Sequence, residues 1–165
     1  MKKFELTDEF VTNVFGKKLF RIKALVAFGD VEKGELGGFI EKEDNLSHNG
    51  NAWVYGNAWV YGDACVYGDA WVSGNAQVSG NACVYGNAWV SGNADYATVA
   101  GFGRYFRTTT FFRCKDKILR VQCGCFYGDL AQFREIVKKT HGDSKYAKEY
   151  LAIADLMELH FSDEY

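Results

Sequence analysis

The chain has 165 residues, a formal net charge of −2 at pH 7, 48% apolar residues, 18 glycines and no proline. That length suits one ordinary domain or a short repeat module with attached caps, and the apolar share is that of a globular protein rather than a disordered one. The balance of charge lacks the basic face that nucleic acids and anionic membranes select, and no stretch approaches the roughly 20 apolar residues of a membrane span. Met1-Lys2-Lys3-Phe4-Glu5 turns polar at once, unlike a secretory leader. Five cysteines, an odd number in a chain large enough to fold unstapled, read as reduced thiols of a cytoplasmic protein.

Residues 1–49 read as an N-terminal β cap. Glu9–Phe15 and Leu19–Leu25 flank Gly16-Lys17-Lys18 with the composition of a hairpin. Gly37-Gly38 reads as a bend before a strand rather than a phosphate cradle. Phe39 and Ile40 then begin a first, irregular coil.

From Gly50 the chain repeats Gly-[Asn/Asp]-Ala-x-Val-[Tyr/Ser] with a period of six. Ala occupies 52, 58, 64, 70, 76, 82 and 88, and Val follows two places later each time. Residues two apart share one face of an extended segment, so Ala and Val make one apolar face. Gly-Asn and Gly-Asp are corner residues, because both tolerate positive φ. Each copy is thus a very short strand and a bend, which buries its face only by stacking on other copies. A helix is excluded, since period six matches neither 3.5 nor 3.6 and each Gly would cost about 1 kcal/mol there.

A second period of eighteen sorts the outward positions into Trp53–Trp71–Trp89, Trp59–Gln77 and Cys65–Cys83, with Tyr67 stacked on Tyr85. Three six-residue steps per turn make a three-sided prism over residues 50–98. Its side chains stack about 4.8 Å apart along each wall.

Beyond Asn93 the pattern decays: Tyr96 replaces Val, and Gly101-Phe102-Gly103-Arg104 ends the coil. Within 99–165, residues 106–126 alternate as a second hairpin turning at Lys115-Asp116-Lys117. Asp129-Leu130-Ala131-Gln132 is a capping box that opens a helix to about Thr140, and Ser144 starts another that runs to about Phe161. The second helix is expected to pack onto the prism or onto a partner.

The repeat resembles the left-handed parallel β-helix of hexapeptide-repeat proteins, an architecture shared by many acyltransferases and some carbonic anhydrases. Left-handedness is implied by that resemblance, since spacing does not fix hand. The wider pattern resembles a group of hexapeptide-repeat proteins of bacteriophages and their bacterial hosts. The resembling pieces are Arg21-Ile22-Lys23-Ala24-Leu25, Leu36-Gly37-Gly38-Phe39-Ile40-Glu41, Asn45-Leu46-Ser47, the repeat, Cys123-Gly124-Cys125-Phe126 and Thr140-His141-Gly142-Asp143. They span nearly the whole chain. The resemblance implies a mostly β protein of phage or mobile-element origin, with a β cap, a hairpin and two helices around the coil. It carries no activity.

Outward aromatics are the strongest functional signal. Trp53, Trp71, Trp89, Trp59, Tyr55, Tyr61, Tyr67 and Tyr85 face out by parity and are the candidate binding residues. Three occupants compete for them. One is cover in cis by the N-terminal hairpin or the C-terminal helices, and another is a second or third copy in a dimer or trimer. The third is a host protein or a nucleotide-like molecule whose flat rings stack on indoles. No cofactor is implied.

For catalysis, His48 is the base that an acyltransferase with an acyl-thioester donor would use, although no loop interrupts the repeats to shape an acceptor pocket. The carbonic anhydrase reading fails, because no His lies within the repeats. Cys114, Cys123, Cys125 and His141 form the one conceivable zinc set, against buried free thiols as the ordinary alternative. The expectation is therefore a non-catalytic, self-assembling binding protein, an antagonist of a host defence that binds a defence protein or sequesters a nucleotide signal. The acyltransferase is the alternative.

Overall fold

In the computed structural model, which describes residues 2–162, the chain opens with a hairpin of β1 (Phe4–Thr12) and β2 (Lys18–Ala24). Asn13 sets its turn, the Oδ1 accepting from the backbone N–H groups of Phe15 and Lys17. β2 pairs antiparallel with β3 (Leu36–Ile40), and β3 pairs parallel with the second repeat strand. The hairpin is thus continuous with one wall of the coil.

Seven two-residue strands carry the repeat: β4 (Trp53–Val54), β5 (Trp59–Val60), β6 (Cys65–Val66), β7 (Trp71–Val72), β8 (Gln77–Val78), β9 (Cys83–Val84) and β10 (Trp89–Val90). They pair in parallel with the strand eighteen residues on, giving three walls, β4-β7-β10, β3-β5-β8 and β6-β9. Backbone donors climb from coil to coil, Trp53 N to Ala70 O at 3.1 Å and Trp71 N to Ala88 O at 2.8 Å. Every repeat Ala and Val is buried. Hydrophobic burial inside and backbone ladders along the walls therefore come from the same six-residue step.

The first coil departs from the period. Phe39 pairs with Trp59 and Leu46 with Val66, a step of twenty instead of eighteen. Trp53 already pairs with Trp71 at the ordinary step of eighteen, so the two extra residues fall between Leu46 and Trp53. The buried Asn45 amide, in the 3-10 turn Glu43–Asn45, donates to the carbonyls of Gly62 and Ala64. Gly38 stands where later coils have Ala. A Cβ there would lie 2.5 Å from Ala58 O, so the first coil admits only Gly at this position.

Lys3 closes the N-terminal edge. Its side chain is only 3% exposed, and Nζ donates to Ala52 O at 2.7 Å, satisfying a carbonyl that no earlier coil reaches. Burial lowers the Lys3 pKa from 10.5 to about 8, while the Asp69 charge opposes that shift. Between pH 8 and 10.5 the unfolded chain therefore holds a proton that the folded chain has lost. Stability contributed by this group rises with pH through that window. Urea midpoints measured across it should climb more steeply for the wild type than for Lys3→Met. Parallel slopes would refute the assignment.

The far end is covered by an antiparallel sheet of β11 (Tyr96–Phe102), β12 (Arg107–Arg113), β13 (Leu119–Cys123) and β14 (Phe126–Asp129). Ala88 bridges to Cys114 and Lys115 N donates to Asn87 O, so the last coil is joined to this sheet by backbone. Alternation along β12 turns Phe112 into the coil's core and Phe111 into a second core beneath the helices. The alternation over residues 106–126 predicts only a two-stranded hairpin here. Tyr96, read as decay of the repeat, instead opens a full edge strand paired with Phe112.

α1 (Leu130–His141) starts at the capping box as expected, with Asp129 accepting from Gln132 N and Gln132 accepting from Asp129 N. α2 (Lys145–His160) is capped by Ser144. Their buried residues pack on the C-terminal sheet through Phe111 and Val121, in a core separate from that of the coil. Packing of α2 onto the prism is thus corrected. No helix among the described residues is long and apolar enough to cross a membrane.

Candidate functional site

The tryptophan stripe forms in register but is not one open surface. Trp53 is 0% exposed, covered by the rings of Phe28 at 5.2 Å and Phe4 at 6.4 Å. Trp71 is half-buried, with Lys115 Nζ 3.7 Å from its ring centroid and Trp71 edge-on to Tyr55. Trp89 is 47% exposed at the end of the ladder. The expectation of outward, available indoles is corrected at Trp53: the N-terminal segment and the β12–β13 turn cover this wall in cis, and the helices do not. Side-chain parity is preserved throughout; what differs is the cover.

The other walls follow suit. Trp59 and Tyr61 lie edge to face, half-buried. Tyr67 stacks against Tyr85 at 4.4 Å, and Tyr127 of β14 closes over Tyr85 at 4.9 Å. Burial pushes the Tyr67 hydroxyl up to about 12 and raises that of Tyr55 as well.

His48 stacks on Phe4 at 4.2 Å with the rings nearly parallel, and its Nδ1 accepts from Lys3 N at 3.0 Å. In the neutral ring Nε2 then carries the proton, and no lone pair is free to deprotonate an acceptor. The proposed zinc set does not assemble either. Cys114 lies at the coil end beside Trp89, while Cys123, Cys125 and His141 line a different cleft. No group of three or more ligating residues able to hold a metal ion occurs among the described residues.

That second cleft combines aromatic and cationic lining. It encloses about 250 Å³ between the C-terminal sheet and the two helices. Phe126, Phe133 and Tyr150 furnish an aromatic floor, and Arg104, Arg107 and His141 line the rim. His141 stacks over Tyr150 at 5.8 Å, and both guanidinium groups lie over the Tyr105 ring, Arg107 at 5.1 Å. Burial raises the Tyr150 pKa, so its hydroxyl stays protonated and donates to Phe102 O at 3.4 Å.

The rim loop is held in an unusual conformation. Gly103 has φ +77 and sits so close to Tyr150 that a Cβ would collide with its hydroxyl oxygen. Its N–H donates to Glu149 at 3.2 Å. Three residues on, Phe106 takes φ +55 while 71% exposed. A left-handed aromatic costs on the order of 1–3 kcal/mol, and the exposed ring recovers little of that by burial. Tyr105 and Phe102 are exposed beside it. Sequence reasoning missed this loop. The signal was there in Gly101-Phe102-Gly103-Arg104-Tyr105-Phe106-Arg107, two glycines followed by aromatics between two arginines, but the glycines read only as the end of the coil.

Stacked parallel two-residue strands at a fixed step define a mostly β protein with β-solenoid repeats, followed by an α+β cap that bears the cleft. Residues 58–74 and 76–94 match the family model described as YdcK beta solenoid repeat. No curated protein matches the chain.

Proposed function

We propose that this is a non-catalytic binding protein, in which a left-handed parallel β-helix serves as a rigid scaffold and the C-terminal cleft holds the ligand. The observation that carries this reading is the pairing of an aromatic floor with a cationic rim around one concavity. Ligand pockets are mostly apolar with a few convergent polar groups. Arginines in such a rim favour phosphate or carboxylate oxygens, and aromatic faces favour flat rings. Together they select a nucleotide-like molecule. A volume of about 250 Å³ lies just below the usual range for drug-sized ligands and suits a single nucleotide unit. The strained, exposed Phe106 supports the same assignment, because such backbone outliers cluster at ligand clamps.

The handedness rests on the likeness to hexapeptide-repeat coils, as does the origin in a phage or mobile element. Within that reading, sequestration of a nucleotide signal from a host defence is the biological role. The exposed Trp89 end is the surface left for a second copy or a host protein, and the unpaired cysteines suit the cytoplasm. Acyl transfer has less support, since the His48 Nδ1 is already occupied.

Calorimetric titration with mononucleotides, cyclic nucleotides and dinucleotides, each alongside its unphosphorylated nucleoside, tests the proposal. Binding should depend on phosphate, weaken with salt, and fall at least tenfold in Arg104→Ala/Arg107→Ala. Circular dichroism should confirm that the variant is folded. A wild-type chain that binds none of these compounds, or a double variant with full affinity, would sink the reading.

A further inference from the structure

The third wall brings two thiols together where the aromatic walls carry rings. Cys65 and Cys83 are paired in register on β6 and β9, with Sγ atoms 3.8 Å apart. Both are half-buried, so a small reagent reaches them. The backbone beneath is fixed: Cys65 N donates to Ala82 O, and Cys83 N donates to Thr110 Oγ1 at 3.0 Å. This pair stands apart from Cys114, which is 3% exposed and whose thiol is raised by burial, the ordinary condition of a structural cysteine.

We propose that Cys65 and Cys83 form a dithiol site that reacts with low-molecular-weight disulfides and closes into a reversible bond between successive coils. Neighbouring parallel strands lie about 4.8 Å apart, inside the range of Cα separations that disulfides span. In-register side chains keep their Cβ atoms at about that same spacing, slightly beyond the roughly 3.5–4.5 Å that disulfides favour, so closure draws the coils together and leaves a strained, readily reduced bond. A site of this kind is switchable rather than a permanent staple.

The chemistry balances without further reagents. The Cys65 thiol donates a hydrogen bond to Cys83 Sγ, which lowers the Cys83 pKa to about 7 and raises that of Cys65. Much of Cys83 is therefore thiolate at neutral pH and is the attacking group. It displaces one thiolate from the small disulfide and forms a mixed disulfide. Cys65 then loses its proton and attacks Cys83 Sγ, expelling the second thiolate. Two protein thiols are oxidised, and one small disulfide is reduced to two thiols.

The sequence supplies a clean readout. No Lys or Arg lies between Lys42 and Arg104, so trypsin leaves Cys65 and Cys83 on one peptide that holds no other cysteine. The folded wild-type chain should be treated with oxidised glutathione near pH 7.5, alkylated, digested and weighed. The 43–104 peptide should become unalkylatable and two hydrogens lighter, and dithiothreitol should restore it. Cys65→Ser should accumulate the glutathione adduct on Cys83, and Cys83→Ser should slow reaction at Cys65 at least tenfold. Exposed Cys125 serves as the control for reagent. Modification of Cys125 with the 43–104 peptide still fully alkylatable would overturn the proposal, as would a Cys83→Ser variant whose Cys65 reacts at the wild-type rate.

Discussion

Trp53→Ala will destabilise the chain by about 3–5 kcal/mol, whereas Trp89→Ala, on the same ladder, will change stability by less than about 1 kcal/mol. The two positions are equivalent in the repeat and differ only in what lies over them. Trp53 is enclosed by Phe4 and Phe28, and Gly37 approaches so closely that a Cβ there would stand 2.8 Å from the indole. Truncation leaves a cavity walled by three separate segments, none of which can collapse into it without breaking a β pairing. Trp89 already has half its surface in water. Because Trp53 Nε1 has no hydrogen-bond partner in its buried site, Trp53→Phe should lose less than Trp53→Ala. Urea unfolding of the three variants, followed by circular dichroism, supplies the comparison. Equal losses at Trp53 and Trp89 would mean that the N-terminal segment does not cover the wall.

The same contrast marks what the sequence could disclose. The register of the walls was legible because it depends on local periodicity alone: a step of six, three to a turn, puts Trp53 beside Trp71 and Cys65 beside Cys83 wherever the rest of the chain goes. Cover is not local. Phe4, Phe28 and Lys115 reach the tryptophan wall from segments 25 to 49 residues away from Trp53 and 44 from Trp71, and no period encodes their arrival. Helix starts were legible at Asp129 and Ser144, because a cap is a contact between residues three apart. The cleft was not, for it needs the β11–β12 loop, β12, β13, β14, α1 and α2 to converge, and the close approach of Gly103 to Tyr150 exists only once they have.

The division of labour between coil and cap follows from these contacts. Unbroken repeats offer flat, laddered walls with no concavity of their own, since a pocket would need a loop inserted between strands. The aromatic cleft lies instead within the appended element, on the side of its sheet turned away from the coil. Here that element is a sheet whose alternation serves two cores at once, with Phe112 on the coil side and Phe111 on the helix side. The scaffold therefore fixes one face of the sheet and leaves the other to carry the ligand-sized cavity. Substitutions inside the coil should change stability with little direct effect on ligand affinity, and those at Arg104 or Arg107 the reverse.

Gly74→Ala will cost roughly 3 kcal/mol or more, and Gly56→Ala only about 1–2 kcal/mol, although both glycines hold the same corner conformation. Their φ values are +61 and +60, so the intrinsic penalty for placing an L-residue in the left-handed region is the same for both. Surroundings separate them. A Cβ on Gly56 meets nothing within 4 Å, whereas one on Gly74 would collide with the carbonyl oxygen of Ser91 in the next coil. Backbone cannot yield there cheaply, because Ser73 N donates to Val90 O at 2.8 Å and ties the two coils together beside the corner. Relief of the clash would lengthen that ladder bond and part the β7–β10 pairing that holds the last coil. The difference between the two urea midpoints thus isolates the contribution of corner stacking from that of conformational strain. If both variants lose the same amount, glycine is required at these corners by φ alone, and successive coils are spaced more loosely than their hydrogen bonds imply.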